Sequence, residues 1–199
     1  MSIELLAETT INLIRKNFDL GKVKMQIYSD DQKNVEYIVI IKGEVSDYSN
    51  VLTRIHSECI TGDLFGSQKC DCGQQLDFAY KLISEIQNGV IIYIKGHEGR
   101  GIGLVEKIKA YNLQETKNLN TIEANQALGH DIDLRNFNNV NLIIDKLAIK
   151  SIAIITNNPD KIKSINKISI IINTKPEVNE NNSNYLKTKI EKMGHYIKL

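Results

Sequence analysis

The chain has 199 residues, of which 42% are hydrophobic, and this length predicts a single domain over residues 1–199 with a substantial core. Its formal net charge of +1 creates no overall basic field, so we expect neither a nucleic-acid partner nor a membrane partner. No apolar run reaches the length of about 18 residues that a membrane span needs, and the first residues lack the pattern of a signal peptide. Both features favour a cytoplasmic protein.

The first half of the chain predicts one helix, a set of strands and a second helix. Apolar residues recur on one helical face in residues 3–16. Periodicity also predicts a helix over residues 73–88, which Gly89 ends. The turn-like run 29–31 separates the first two predicted strands, which suits an antiparallel pair. The segments with strand-like patterns are residues 21–28, 35–42, 51–56 and 90–94.

The second half predicts helices and one strand–helix–strand unit. Strands at residues 151–155 and 168–172 flank a helix at 159–165, an arrangement that favours parallel pairing. The other predicted helices are residues 104–113, 121–128 with Thr121 as a candidate cap, 140–147, and a last helix after 179–184 that ends near Gly194. The fold class is therefore α/β of the mixed α+β type. We expect mixed sheets with an antiparallel N-terminal part and a βαβ unit near the C-terminus, flanked by helices.

Three cysteines lie close together, at Cys59, Cys70 and Cys72. Thiolates favour zinc, and a set of three protein ligands leaves a fourth position for solvent, as in catalytic zinc sites. Two structural interpretations stay open at this point. The cysteines would also pack as small apolar core residues, and His56 or His97 would complete a structural site with four ligands.

Arginine is rare in this lysine-rich chain, which has only Arg15, Arg54, Arg100 and Arg135. A position that keeps arginine in such a composition indicates a need for its planar fork of donors, which lysine lacks. Arg15 falls on a predicted amphipathic helix, where chance explains it. The other three fall in motif-like segments and are candidates for binding an anion.

Three further segments each have a functional explanation and a purely structural one. The glycine-rich run 99–103 around Arg100 follows a strand and precedes a helix, a place for an anion or for a simple turn. Asp133 and Arg135 are two residues apart and would also form an ordinary surface ion pair. Residues 156–159 end a strand and begin a helix, where open α/β sheets bind ligands, although capping alone explains their composition.

The order and spacing of these segments resemble the GTP cyclohydrolase II family. The similarity runs in register from Gly21 to the end of the chain, whereas the first twenty residues and the run 95–97 before Glu98 depart from the family pattern. The segments that carry the resemblance are RIHSECITGDLFGSQKCDCGQQL from Arg54, EGRGIGL from Glu98, KIKAY from Lys107, TIEAN from Thr121, DLR from Asp133, TNNP from Thr156, and the tail between Asn181 and His195.

The resemblance implies a monofunctional enzyme at the start of riboflavin biosynthesis. Such an enzyme opens the imidazole ring of GTP at carbon 8 and releases formate and pyrophosphate, which leaves a phosphoribosylated diaminopyrimidine. The resemblance also implies one Zn²⁺ per chain, held by Cys59, Cys70 and Cys72. A Mg²⁺ ion with the triphosphate and a homodimeric assembly are further expectations of the same kind.

Individual roles follow from the same resemblance. Asp133 would act as a proton acceptor, Arg135 would engage the α-phosphate during pyrophosphate release, and Tyr111 would lie against the ring being opened. The residues implied to line the GTP site are Arg54, Ile55, His56, Ser57, Glu58, Gln75, Glu98, Gly99, Arg100, Thr121, Thr156 and Lys161.

These roles suit the chemistry of the reaction. Carbon 8 of guanine is a poor electrophile, so attack at neutral pH needs hydroxide, which zinc can generate. The triphosphate needs cations, for which Arg100, Arg135, Lys161 and magnesium are suitable. Glu58 and Gln75 carry the acceptor and amide groups that guanine recognition requires.

Three other functions make different demands on the sequence. A zinc nucleoside deaminase would carry a Pro-Cys-x-x-Cys pair, which this sequence lacks. A nucleotide-binding module with structural zinc stays open, as does a paralogue that stops at the formylated pyrimidine intermediate. Tyr111 favours the complete reaction over that paralogue.

Overall fold

The computed structural model describes residues 2–30 and 35–197, which form one seven-stranded mixed sheet with helices packed on it. The strands are β1 (Ile3–Arg15), β2 (Phe18–Asp30), β3 (Glu36–Lys42), β4 (Val51–Ser57), β5 (Gly89–Ile94), β6 (Ile152–Ile155) and β7 (Ile168–Ile172). The helices are α1 (Ile60–Asp63), α2 (Cys72–Ser84), α3 (Gly103–Lys117), α4 (Thr121–Ala127), α5 (Asn139–Lys146), α6 (Pro159–Ser164) and α7 (Ser183–Met193). Among the described helices, none has the length and apolar character needed to cross a membrane.

The sheet changes character at β5, and its strand order is β1-β2-β3-β5-β4-β6-β7. The pairs from β1 to β5 are antiparallel, whereas β5, β4, β6 and β7 pair in parallel. The predicted mixed α/β class and the βαβ unit of β6, α6 and β7 are therefore confirmed. Because β4, β5 and β6 run in the same direction, their carboxyl ends meet at one edge. The segments around Cys59, Glu98 and Thr156 follow these strand ends.

The predicted helix over residues 3–16 is wrong, because this segment is the edge strand β1. It forms a hairpin with β2 in which Arg15 pairs with Phe18, and Lys16 takes the positive φ of 53° that two-residue hairpin turns favour. Pairing along thirteen residues overrides the helical periodicity. The apolar residues that suggested a helical face are largely exposed, namely Leu6, Ile11 and Ile14.

Most other predicted elements are confirmed with shifted ends, and α4 begins differently from the prediction. Asn120, rather than Thr121, caps this helix, since its side chain accepts hydrogen bonds from the backbone amides of Ile122 and Glu123. The Thr121 hydroxyl is therefore free for another role. Asp31, the last residue of the predicted turn, lies outside the described residues.

Two apolar clusters hold helices against the sheet. Alternate residues of β5 contribute to them: Val90 and Ile92 belong to the cluster that includes α5, and Ile91 belongs to the cluster that includes α2. Covering the sheet in this way leaves the edge where β4, β5 and β6 end accessible to a ligand.

Candidate functional site

The three cysteines converge just beyond the end of β4. Cys59 follows this strand, and Cys70 and Cys72 lie at the start of α2. Their sulfur atoms all lie within 4.8 Å of one another, and the Sγ atoms of Cys59 and Cys70 are 3.6 Å apart. Tetrahedral zinc with Zn–S bonds of about 2.3 Å would hold two sulfurs about 3.8 Å apart. The spacing of the trio therefore fits a zinc ion and favours a metal site over the interpretation as separate core residues.

Neither candidate histidine belongs to this group of ligand atoms. The Nε2 atom of His56 lies 2.9 Å from an oxygen of Asp63, and the Nδ1 atom of His97 lies 3.3 Å from the Ser57 hydroxyl. Within residues 2–30 and 35–197, the cluster thus offers three protein ligands.

Two glycines allow the thiols to approach, and sequence reasoning missed both. A Cβ atom at Gly62 would lie 2.9 Å from the sulfur of Cys70, and one at Gly73 would lie 2.4 Å from the Gly62 carbonyl oxygen. Gly73 lies in the first turn of α2. Because glycine is unfavourable within a helix, its presence there indicates a position where a side chain would not fit. The backbones of α1 and α2 meet only because neither position carries a side chain.

Asp63 organises the end of β4 and was also missed. Its carboxylate accepts hydrogen bonds from the Cys59 backbone amide and the Tyr93 hydroxyl, both at 3.0 Å, and from His56 at 2.9 Å. Burial lowers the pKa of His56 to about 4, so its ring is neutral at neutral pH. If Nε2 donates to Asp63, Nδ1 accepts from Arg54, which lies 3.2 Å away.

A buried lysine lies against the thiols. The Lys107 ammonium is 3.2 Å from the Cys59 sulfur, 2.7 Å from the Thr61 hydroxyl and 2.6 Å from a Glu98 oxygen. The other Glu98 oxygen accepts the Ile60 backbone amide at 2.6 Å. Hydrogen bonds from the neighbouring thiols, supported by the charge of Lys107, lower the pKa of Cys59. The surroundings thus favour a thiolate at Cys59, and the thiolate is the form that binds metal. The same hydrogen bonds raise the pKa of Cys70 and Cys72, which donate to Cys59.

A first cavity opens beside the thiols and contains Tyr111. The ammonium groups of Lys69 and Lys107 each lie 5.5 Å from the centre of the Tyr111 ring. Burial raises the pKa of Tyr111, so its hydroxyl keeps its proton at neutral pH and can donate a hydrogen bond. The other predicted residues lining this cavity are Ser57, Glu58, Glu98, Gly99, Arg100, Thr121 and Arg135.

A second cavity is strongly cationic. Arg100 has the positive φ of 69°, and its two terminal guanidinium nitrogens are buried without a hydrogen-bond partner among the described residues. Burial is the main cause that lowers the pKa of Lys161 well below its ordinary value, and repulsion by the charges of Arg54 and Arg135 adds to it. Such a concentration of buried positive charge favours an anion with several charges. The basic side chains around this cavity are Arg54, Arg100, Arg135, Lys161 and Lys189.

Asp133 and Arg135 form a bidentate ion pair beside the cavities. The Nε atom of Arg135 donates to one Asp133 oxygen at 2.8 Å and its NH2 atom donates to the other at 2.5 Å. Burial would raise the pKa of Asp133, but hydrogen bonds and charge from Arg135 lower it overall. Asp133 is therefore a poor proton acceptor while this pair is intact.

The two cavities form one cleft with a thiol end and a cationic end. The residues that line both are Ser57, Cys72, Arg100, Arg135 and Tyr185.

Most of the predicted site residues meet in this cleft. Arg54, His56, Gln75, Thr156 and Lys161 line the cationic end, where three of the four arginines gather. Sequence reasoning gave no role to several other residues that line or shape the cleft, because nothing in their type or spacing sets them apart. They include Gly62, Asp63, Gly73, Asn125, Tyr185, Lys189 and His195.

Two predicted residues lie outside both cavities. Ile55 packs its side chain in the core, and its backbone carbonyl accepts a hydrogen bond from the Lys161 ammonium at 2.8 Å. Asp133 contacts the site through Arg135. Arg15, treated as incidental, pairs with Asp77 at 2.6 Å and contacts neither cavity.

This α/β fold, with three thiols next to a cationic cavity, has the features of a metal-dependent protein that binds a polyanion. A family model for GTP cyclohydrolase II matches residues 12–176. The chain therefore belongs to the GTP cyclohydrolase II family.

Several curated relatives agree with this assignment. The chain is 45% identical over 199 residues to the GTP cyclohydrolase-2 of Histophilus somni, covering 98% of this chain and 89% of that protein. It is also 45% identical over 164 residues to the GTP cyclohydrolase-2 of Neisseria meningitidis serogroup A, covering 80% of this chain and 82% of that protein. The riboflavin biosynthesis protein RibBA of Endomicrobium trichonymphae is 45% identical over 182 residues, which are 89% of this chain. The chain spans about half of that protein's length or less, as it does for several other relatives it matches.

The glycine contact leads to a first prediction. Gly73→Ala places a methyl group against the Gly62 carbonyl and should separate α1 from α2, so zinc content should fall well below that of the wild type. The control is Lys81→Ala, an exposed position on the same helix. Metal analysis after dialysis measures the effect, and full zinc content in a folded Gly73→Ala protein would contradict the role of this contact.

A second prediction concerns the dependence of stability on pH. Burial, followed by the charges of Arg135 and Lys161, lowers the pKa of His97 to about 3. An unfolded histidine has a pKa of about 6.5, so the unfolded chain binds the extra proton first and stability is lost as pH falls from there toward the folded pKa. At pH 5 the loss should reach roughly 2 kcal/mol for this residue.

Chemical unfolding of the metal-free protein at pH 7 and pH 5 measures this dependence. The His97→Leu variant, which has no titrating ring at this position, should lose less stability between the two pH values than the wild type. Equal losses in both proteins would show that His97 is protonated normally in the fold.

Proposed function

We propose that this chain hydrolyses GTP at carbon 8 and releases formate and pyrophosphate in riboflavin biosynthesis. The observation that carries the proposal is the joining of the thiol trio to a cavity lined by five basic side chains, which suits a zinc-dependent reaction on a triphosphate. Relatives named GTP cyclohydrolase-2 that match nearly the whole chain support it.

The thiol end would hold the metal and the guanine ring. Cys59, Cys70 and Cys72 would bind one zinc ion, with solvent at the fourth position, and zinc in such a site supplies hydroxide at neutral pH. Tyr111 keeps its proton and would donate a hydrogen bond to the ring being opened. Glu58 holds the Gly96 backbone amide with one oxygen, at 2.8 Å, which leaves the other to accept from guanine.

The cationic end would hold the triphosphate. The free nitrogens of Arg100 would donate to phosphate oxygens. A bound phosphate would raise the pKa of Lys161, which burial and the neighbouring arginines lower, so that this lysine would add a compact charge. Thr156 lines the same end. A magnesium ion bound to the triphosphate would neutralise the remaining charge.

The ion pair of Asp133 and Arg135 would link phosphate binding to proton transfer. A phosphate oxygen that engages the Arg135 guanidinium would draw it away from Asp133. Since Arg135 is what lowers the pKa of Asp133, this movement would raise that pKa and make the carboxylate a better proton acceptor. Asp133 would thus become active only when the substrate is in place.

The direct test is incubation of the protein with GTP, zinc and magnesium. The proposal expects formate, pyrophosphate and a diaminopyrimidine in equal amounts. A nucleotide-binding module with structural zinc would release none of them, and a paralogue that stops early would accumulate a formylated pyrimidine without free formate. Either result would reject the proposal.

The homodimer and the cytoplasmic location stay predictions from the sequence. The described surface carries large apolar side chains that a second copy would cover, and they include Leu64, Phe65, Val105 and Ile108, which are 74%, 75%, 68% and 49% exposed.

Arg135→Lys should not behave as a conservative change. Lysine loses the two-point grip on phosphate and on Asp133, and such a charge-assisted contact contributes about 1.5–3 kcal/mol, so kcat should fall about tenfold to a hundredfold. The control is Arg15→Lys, on β1 outside the cleft. Steady-state formate release measures both, and unchanged turnover in Arg135→Lys would exclude Arg135 from the reaction.

Cys70→Ser should separate the two chemistries of the site. Serine is a hard and weakly acidic ligand, so zinc binding should weaken. A folded variant should release little formate from GTP, yet it should still liberate some pyrophosphate and leave GMP, because the phosphate contacts lie at the other end of the cleft. Metal analysis and circular dichroism accompany the assay, since metal binding and folding are often coupled.

Two results would contradict parts of this account. A folded, zinc-free Cys70→Ser protein that makes formate at the normal rate would refute the role of the trio. A folded protein inactive at both ends would show that the phosphate step depends on the metal site.

A further inference from the structure

The C-terminal helix α7 forms part of the cleft wall, although the family model ends at residue 176, before this helix begins. Tyr185 lines both cavities, and Lys189 lines the cationic one. The loop that follows the helix adds His195 to the same wall. A segment beyond the matched range therefore completes the site.

Lys189 forms a buried ion pair with the residue between two of the cysteines. Its ammonium donates to an oxygen of Asp71 at 2.5 Å, and the two side chains are 9% and 0% exposed. Asp71 separates Cys70 from Cys72 in the chain. Removing one partner of a buried pair leaves an uncompensated charge, which is strongly destabilising. The conformation of the Cys70–Cys72 segment thus depends on a side chain from α7.

The same carboxylate connects this segment to the cationic end. The second oxygen of Asp71 accepts a hydrogen bond from the Gln75 side-chain amide at 2.6 Å. The Gln75 carbonyl oxygen in turn accepts from the Arg54 guanidinium, also at 2.6 Å. One line of contacts therefore runs from Lys189 through Asp71 and Gln75 to Arg54.

The backbone around Lys189 is held in place. Leu186, one turn earlier, is fully buried. The His195 backbone amide donates to the Lys189 carbonyl at 3.0 Å, and the Tyr196 amide donates to the Asn157 carbonyl at 3.0 Å. These contacts fix α7 against the end of β6, so the ammonium reaches Asp71 from a rigid support.

We propose that Lys189 is a positioning residue that fixes the Cys70–Cys72 segment through Asp71 and orients Arg54 through Gln75. The proposal rests on the proposed metal site at the thiol trio. A second role, direct binding of phosphate, would also place a lysine in this cavity. The existing contact with Asp71 favours positioning, because Arg100 already offers free donors for an anion.

The experiment compares Lys189→Met with Lys187→Met, an exposed position on the same helix. Co²⁺ binds thiolate sites with visible absorption bands, so titration in competition with a chelator measures metal affinity without turnover. Lys189→Met should bind Co²⁺ about 10- to 100-fold more weakly than the wild type, the usual effect of losing a residue that supports metal ligands. Its thiolate-to-cobalt band should shift, and kcat should fall more than KM for GTP changes. Lys187→Met should match the wild type in each measurement.

A double variant keeps the proposal testable if Lys189→Met folds poorly. Asp71→Asn combined with Lys189→Met removes both buried charges while keeping the shapes of the side chains. If Lys189 acts through Asp71, the double variant should regain part of the Co²⁺ affinity that the single variant loses. A double variant that is no better than the single one would overturn the proposal.

The remaining outcomes are equally decisive. A normal cobalt spectrum and affinity in Lys189→Met with a raised KM would assign Lys189 to phosphate binding and reject positioning. A lowered melting temperature with no change in cobalt binding or kinetics would leave it a purely structural residue and also reject positioning. If the wild-type protein itself bound no Co²⁺ at the trio, the proposed function would fail, and the role of Lys189 with it.

Discussion

The requirement that buried charges be compensated organises this protein more than any other constraint. Lys107 is matched by Glu98 and Lys189 by Asp71, and each pair also holds a piece of backbone or a thiol in place. Arg54, Arg100 and Lys161 depart from the rule, since these buried basic side chains form no ion pair among the described residues. The terminal nitrogens of Arg100 lack even a neutral hydrogen-bond partner there. The paired charges hold the walls of the cleft together, and the unpaired basic side chains would suit an anionic ligand.

The cleft joins thiols and basic side chains that come from several parts of the chain. The thiols come from the end of β4 and the start of α2, whereas the cations come from segments as distant as Arg54 and Lys161. Parallel strands make this possible, because β4, β5 and β6 end at one edge. The ends of the cleft share residues, so events at one end can influence the other through side chains such as Arg135.

Sequence patterns succeeded where local chemistry decides the outcome. The cysteine spacing indicated a metal site, and the retention of arginine in a lysine-rich chain identified three residues that line the cationic cavity. Patterns failed for β1, where the apolar residues follow a helical period but face outward, and hydrogen bonding to β2 determines the structure. They also passed over Gly62 and Gly73, because a close backbone approach leaves no pattern in a single sequence.

By itself, the sequence determined the mixed α/β class and the group of three neighbouring cysteines, since both depend on residue type and local spacing. The family resemblance, rather than spacing alone, supplied most of the residues that line the cleft. Only the tertiary structure decided which polar side chains of the cleft already have a hydrogen-bond or ion-pair partner within the protein. Glu98 is occupied by Lys107 and a backbone amide, Asp133 is paired with Arg135, and Asp71 is held by a lysine 118 positions away. Such partnerships depend on distances between segments remote in the chain, and burial then sets their strength, which spacing along the sequence does not reveal.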